Sequence, residues 1–210
     1  MEDLKKVFAG KLLGIKAIKL QPNDPFTWAS GWKSPFYCDN RKTLSFHDVR
    51  SFVKLELVHA ILANFPEATA VAGVATGAIA QGMLVADELA LPYAYVRPKP
   101  KDHGMKNQIE GELPVGSKVV VVEDLISTGG SSLKAVAALR EAGFEVVGMV
   151  ASYTYGFPVA EEAFREANVK LVTLTDYEHV VEKALETGYI KESEVSMLHD
   201  WRKDPANWKK

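Results

Sequence analysis

Apolar residues follow two different rhythms along this chain, and the switch between them divides it. From Leu4 to Ile18 they recur at helical spacing and predict an amphipathic helix. The next stretch, "LQPNDPFTWASGWKSPFYCDNRKT", mixes Pro, Gly, Asn and aromatic residues, and it fits either turns or short strands. Ser45 reads as the N-cap of a helix whose apolar stripe is Val49, Phe52, Val53, Leu57, Val58, Ile61 and Leu62. Strand and helix signals then alternate: "ATAVAGVA", a helix after Gly77, "YAYV", "KVVVV", a helix to Ala142, "EVVGMVASY", a helix from Val159 and "VKLVTL". That alternation predicts an α/β fold with a mainly parallel sheet flanked by helices. Helical segments around Val180–Leu185 and Glu194–Trp201 close the chain.

Four consecutive valines, Val119 to Val122, mark a strand buried on both faces. Glu123 and Asp124 follow at its carboxyl end, where open α/β sheets bind ligands. Ser127, Thr128, Gly129, Gly130 and Ser131 then form a turn, with helical spacing from about Ser131. Such a turn offers backbone N–H groups and the positive end of a helix dipole to an anion, of which phosphate is the natural candidate. A plainer alternative is that the acidic pair only ends a strand and the glycines only make a turn. The valine run, the acidic pair and hydroxyls on both sides of the glycines together favour the cradle. A Walker A loop is excluded, because no Lys-Ser or Lys-Thr follows the glycines, and GxGxxG does not occur. Carboxylates repel phosphate, so the acidic pair is expected to hold sugar hydroxyls or a bridging metal.

Two further segments can carry chemistry. "VRPKPKDHGMKNQIEGEL", Val96 to Leu113, is a long polar insertion between strands, cationic between Arg97 and Lys106. Loops of that length in compact domains are often lids, and a cationic lid would neutralise a departing phosphate while excluding water. The bland alternative is a solvated charged loop. "AVAGVATGAIAQG", Ala70 to Gly82, is a second strand, turn and helix, in which Thr76 and Gly77 would let the backbone approach a second anion.

Composition narrows the class. With 210 residues, 47% hydrophobic and 25% charged, the chain suits one substantial globular domain. A net charge of -2 gives no general attraction to nucleic acid. The single cysteine, Cys38, rules out an internal disulfide framework and fits a reducing compartment, so cytoplasm is the expectation. No secretory signal or membrane-spanning run is legible. Cys38 and the scattered His47, His59, His179 and His199 read as structural or surface residues, without metal-ligand spacing.

"EDLISTGGS" resembles the phosphoribosyl pyrophosphate (PRPP) motif of type I phosphoribosyltransferases. The lid "RPKPKDHG" with "IEG" after it, and "SGWKSPFYCDNR" before it in the chain, are similar to segments of bacterial orotate phosphoribosyltransferases. The resemblance covers nearly the whole chain and implies a type I phosphoribosyltransferase fold: a hood at about 1–45, an α/β core at about 46–180 and a helical segment at about 181–210. It implies transfer from PRPP to orotate with magnesium held mainly through PRPP, and a homodimer whose lids close over the partner's site. Glu123 and Asp124 would then hold the ribose hydroxyls, within a PRPP motif that runs on through Leu125 and Ile126, and Ser127, Thr128, Gly129, Gly130 and Ser131 would cradle the 5'-phosphate. Arg97, Lys101 and His103 would reach pyrophosphate, with Lys101, His103 and Asp124 as the catalytic set. Thr76 and Gly77 would give pyrophosphate backbone contacts. Ser127 would touch orotate, helped by Lys33, Phe36 and Tyr37. Compared with some members, Ala29, Gly77 and Pro98 stand where Lys is frequent, and 151–158 contains no Arg for the orotate carboxylate. The rival readings are a transferase for another base and a PRPP-sensing regulator, which should carry an added DNA-binding module that the N-terminal helix is too small to supply.

Overall fold

The computed structural model describes residues 3–27, 33–99, 108–205, 207 and 208. In chain order the elements are α1 (Leu4–Gly14), β1 (Ile18–Leu20), β2 (Phe26–Thr27), β3 (Lys33–Ser34), β4 (Phe36–Cys38), a 3-10 helix (Asn40–Ser45), α2 (His47–Asn64), β5 (Ala70–Val74) and α3 (Ile79–Leu89). They continue with β6 (Tyr93–Val96), β7 (Ile109–Glu110), β8 (Lys118–Ile126), α4 (Gly130–Glu141), β9 (Glu145–Thr154), α5 (Pro158–Glu166), β10 (Leu171–Asp176), α6 (Tyr177–Glu186) and α7 (Glu192–Lys203). Among the described residues no helix is long and apolar enough to cross a membrane. Two compact units result, one of Met1–Phe46 with Thr175–Lys210, the other of His47–Leu174.

In the first unit the N-terminal helix is stitched to α6. Lys5 Nζ lies 2.9 Å from Asp176 Oδ2, the Thr175 hydroxyl donates to the Lys5 carbonyl, and Lys6 Nζ meets both Glu182 and Glu186. The rings of Phe36, Tyr177 and Trp201 pack together, and the Tyr177 hydroxyl donates to the Leu198 carbonyl at 2.8 Å. The segment whose reading was open between turns and strands contains two short antiparallel ladders, β1 with β4 and β2 with β3. Two boundaries differ from expectation. Helix α1 ends at Gly14, not Ile18, because Lys16 turns into the left-handed region at φ 55 and Ile18 enters a strand. Ile18 is fully buried there, so its hydrophobicity prolonged the helical pattern without prolonging the helix. Ser45 closes the 3-10 helix instead of capping α2, which starts at His47.

The second unit is built on a six-stranded sheet of order β10-β9-β8-β5-β6-β7. Pairs β5/β6, β5/β8 and β8/β9 are parallel, while β7 adds an antiparallel edge to β6. Val119 to Val122 are fully buried, as an unbroken apolar run in a central strand requires. Val119, Val121 and Ile126 pack with Ala135, Val136 and Leu139 of α4 and Phe164 of α5 in one core. Strands β5 and β8 pair in the register Gly73↔Val122, so the turns that follow them leave the same edge of the sheet side by side.

Candidate active site

Strand β8 runs through the acidic pair to Ile126, and α4 starts at Gly130. Between them Ser127 is half-buried, Thr128 and Ser131 are exposed, and Gly129 is the N-cap at φ 80. A side chain at 129 would be strained at that φ and would also meet the Phe164 ring, so glycine is required twice over. No side chain caps α4, so the first turn of this twelve-residue helix keeps its N–H groups facing the bend from 127 to 131. That is the geometry of an anion cradle.

The two carboxylates have different surroundings. Glu123 is 4% exposed, its Oε2 accepting from the Ser132 hydroxyl at 2.8 Å and its Oε1 from the Asp124 backbone N–H at 3.0 Å. Burial first, and the adjacent Asp124 carboxylate next, push the Glu123 carboxyl up to about 8, against the opposing pull of those two donors. Asp124 is half-buried, and its carboxylate lies against Gly77 in the place a side chain at 77 would take. The resemblance implied that Glu123 and Asp124 both hold the ribose hydroxyls. In the structure Glu123 closes the root of the cradle by tying the end of β8 to α4, and Asp124 stands at the second turn.

That second turn runs from Ala75 to Ala78 between β5 and α3, with Thr76 exposed and Gly77 half-buried. The Ala75–Thr76 peptide bond is cis. Tyr93 braces the turn from behind, its hydroxyl donating to the Ile79 carbonyl at 2.7 Å, and Gly73 and Gly82 leave room for its ring. Gly77 therefore lies against Asp124, in the turn that follows the strand paired with β8.

Arg97 stands at the root of the cationic segment. Its N–H donates to the Gln108 carbonyl at 2.8 Å, the Gln108 amide donates back to the Arg97 carbonyl at 3.0 Å, and its guanidinium lies 3.3 Å from Glu110 Oε1. The long polar insertion read from Val96 to Leu113 thus contains a short strand, β7, on the far side of this root. Lys101 and His103 lie outside the described residues, as does Ala29, whereas Pro98 is described and exposed.

Among the expected orotate contacts in the first unit, Lys33 Nζ donates to the Thr27 hydroxyl at 2.8 Å, and Tyr37 is 39% exposed beside Phe26. The Phe36 ring is fully buried in the aromatic cluster with Tyr177 and Trp201, so it is a core element and presents no face to a ligand. Leu125 is half-buried and Ile126 is wholly core, its carbonyl accepting from the Tyr155 N–H. Where an Arg was missed between 151 and 158, Tyr153, Tyr155 and Phe157 form a buried series of ring contacts at 5.2 and 5.3 Å. Sequence reasoning also passed over Ser132, Tyr93 and Gln108. Only Gln108 left a trace, as the residue directly before "IEG".

The description "Phosphoribosyl transferase domain" belongs to the family model that matches residues 56–187, the stretch that contains both turns. Similarity extends well beyond it. An orotate phosphoribosyltransferase of Bacteroides thetaiotaomicron is 69% identical over 208 residues, 99% of this chain and 98% of that protein. The chain belongs to the orotate phosphoribosyltransferase family. A more distant member, from Listeria innocua, is 53% identical over 99% of this chain and 100% of its own. The crystal structure of the orotate phosphoribosyltransferase from Aeropyrum pernix superposes with a TM-score of 0.76 at 30% identity, covering 88% of this chain and 99% of that one. Family membership agrees with the type I phosphoribosyltransferase fold expected for the sheet and its flanking helices.

Proposed function

We propose that the chain transfers the 5-phosphoribosyl group of PRPP to orotate, yielding orotidine 5'-phosphate and pyrophosphate in pyrimidine nucleotide synthesis. One observation carries the mechanism: two glycine-containing turns follow adjacent parallel strands, with the Asp124 carboxylate against the second. That pattern suits a sugar with phosphate at one end and diphosphate at the other. The 127–131 bend would hold the 5'-phosphate, Asp124 the ribose hydroxyls, and the Thr76–Gly77 turn the diphosphate.

The orotate ring nitrogen, giving up its proton to the departing diphosphate, attacks the anomeric carbon as the bond to the diphosphate oxygen breaks, so the ribose ring passes through an oxocarbenium-like state. No enzyme nucleophile is needed. Negative charge grows on the leaving diphosphate, and Arg97, Lys101 and His103 would stabilise it more in the transition state than in the ground state. Magnesium would arrive with the substrate, held mainly through PRPP. When bound there it would neutralise part of the leaving group's charge. A homodimer with shared lids and a cytoplasmic location complete the proposal, the latter supported by the lone cysteine.

The test is the absorbance change on mixing protein, PRPP and magnesium with orotate, uracil, adenine or hypoxanthine in parallel, with product identification. Conversion of orotate alone is the expected result. Conversion of another base in its place would reassign the substrate, and PRPP binding without any conversion would favour the regulator.

A further inference from the structure

The contact between Asp124 and Gly77 has the wrong sign for two permanent neighbours at an anion site. Both Asp124 carboxylate oxygens, and the carbon between them, lie where a Cβ on residue 77 would be built. The carboxylate thus rests on the backbone of the turn assigned above to pyrophosphate. A diphosphate approaching that backbone meets a negative charge already in place, and two anions cannot share it. The same two oxygens are the acceptors that ribose hydroxyls would use.

We propose that Asp124 is an internal anion on the pyrophosphate turn: it occupies the turn in the free protein and releases it when the sugar hydroxyls engage the carboxylate. The inference rests on the ribose and pyrophosphate roles proposed above. PRPP brings the diol and the diphosphate in one molecule, so it supplies the partner that draws Asp124 away and the anion that replaces it. Free pyrophosphate has no diol and must expel the carboxylate unaided. Glycine at 77 belongs to the same device, because any side chain would take the carboxylate's place. Sugar occupancy and pyrophosphate affinity are thereby linked through one rotatable group, and by thermodynamic reciprocity each must favour the other. Without this device, two anionic ligands bound side by side would oppose each other.

Titration calorimetry of purified protein in magnesium buffer decides the matter, with pyrophosphate titrated in the absence and presence of saturating ribose 5-phosphate. In the wild type, ribose 5-phosphate is expected to tighten pyrophosphate binding at least about fivefold. In Asp124→Ala, pyrophosphate alone should bind about tenfold more tightly than to the wild type, and the help from ribose 5-phosphate should vanish. Equal coupling in the two proteins would overturn the inference while leaving the ribose role intact. Should ribose 5-phosphate bind wild type and Asp124→Ala equally well, the ribose role itself falls and takes the inference with it. If the Ala variant melts well below the wild type, the near-isosteric Asp124→Asn repeats the comparison with the charge alone removed.

Discussion

The Asp124 carboxylate occupies the position that a side chain at residue 77 would fill. Gly77 is not held at positive φ, so the space above it, and not its backbone conformation, demands glycine. In Gly77→Ala the methyl group takes the place that the carboxylate holds in the free protein and that a diphosphate needs in the complex. What it displaces is the end of a short side chain, so folding should suffer little. The expected result is a KM for PRPP raised about tenfold or more, equivalent to roughly 1.4 kcal/mol, with a melting temperature close to wild type. Initial-rate kinetics beside a thermal melt would check both halves, and an unchanged KM would remove the turn from the PRPP site.

Glu123 gives a pH dependence of stability with a definite sign. Its carboxyl is pushed from an ordinary 4.5 to about 8, first by burial. Below the ordinary value both folded and unfolded states carry the proton. Between 4.5 and 8 the folded protein keeps a proton that the unfolded chain has lost, so Glu123's contribution falls as pH rises and is gone above the upper value. Glu123→Gln has nothing to lose over that window. Melting curves from pH 5 to 9 should show the difference between variant and wild type moving in the variant's favour up to about pH 8 and levelling above it, and a constant difference would mean that Glu123 is ionised in the fold throughout.

Two adjacent glycines should respond oppositely. Gly129→Ala imposes a left-handed φ on alanine, at about 1–2 kcal/mol, and drives a methyl into the Phe164 ring, 2.9 Å from the Cβ position. A loss of about 3 kcal/mol overall is expected once overpacking is included. Gly130→Ala places its methyl on the first helical position of α4 with only Thr128 Oγ1 nearby, at 3.9 Å, so stability should hold or rise. Chemical denaturation of the pair reads the contrast directly.

Lid sharing across a dimer has its own signature. Lys101→Ala should lower turnover strongly while leaving the melting temperature unchanged. Mixed with Asp124→Asn under conditions of subunit exchange, it should regain activity, since one of the two sites in each heterodimer then has an intact lid and an intact ribose carboxylate. Absence of recovery in verified heterodimers would place lid and cradle in the same subunit.

The parts of this molecule written in local pattern were legible beforehand. The valine strand, the turn from Ser127 into α4, the second turn at Thr76–Gly77 and the alternation behind the parallel sheet depend on neighbouring residues, which a sequence displays in order. The parts that depend on partners far along the chain were not. Ser132 is the donor that anchors Glu123, yet nothing distinguishes its hydroxyl from the exposed one at Ser131 until the helix is wound and 132 turns inward. Phe36 and Tyr37 are neighbours with similar chemistry, and only strand alternation plus the distant Tyr177 and Trp201 decide which ring is core and which is surface. Ile18 misled because burial in a strand and burial on a helix favour the same residue. The tyrosines at 153 and 155 replaced a missing charge on paper, but in space they are interior packing.

Strands β5 and β8 are direct neighbours in a hydrogen-bonded parallel ladder, and each ends in one of the two turns. The interval between the turns is therefore set first by backbone spacing, about 4.8 Å between paired strands, with Tyr93 and the Glu123–Ser132 bond bracing the turns on that base. Substitutions in either turn can retune how tightly each end of a ligand is gripped without altering the length the protein measures. If the two turns hold the two ends of PRPP as proposed, the base accepted could change elsewhere in the fold while the gauge for the phosphorylated sugar stayed fixed.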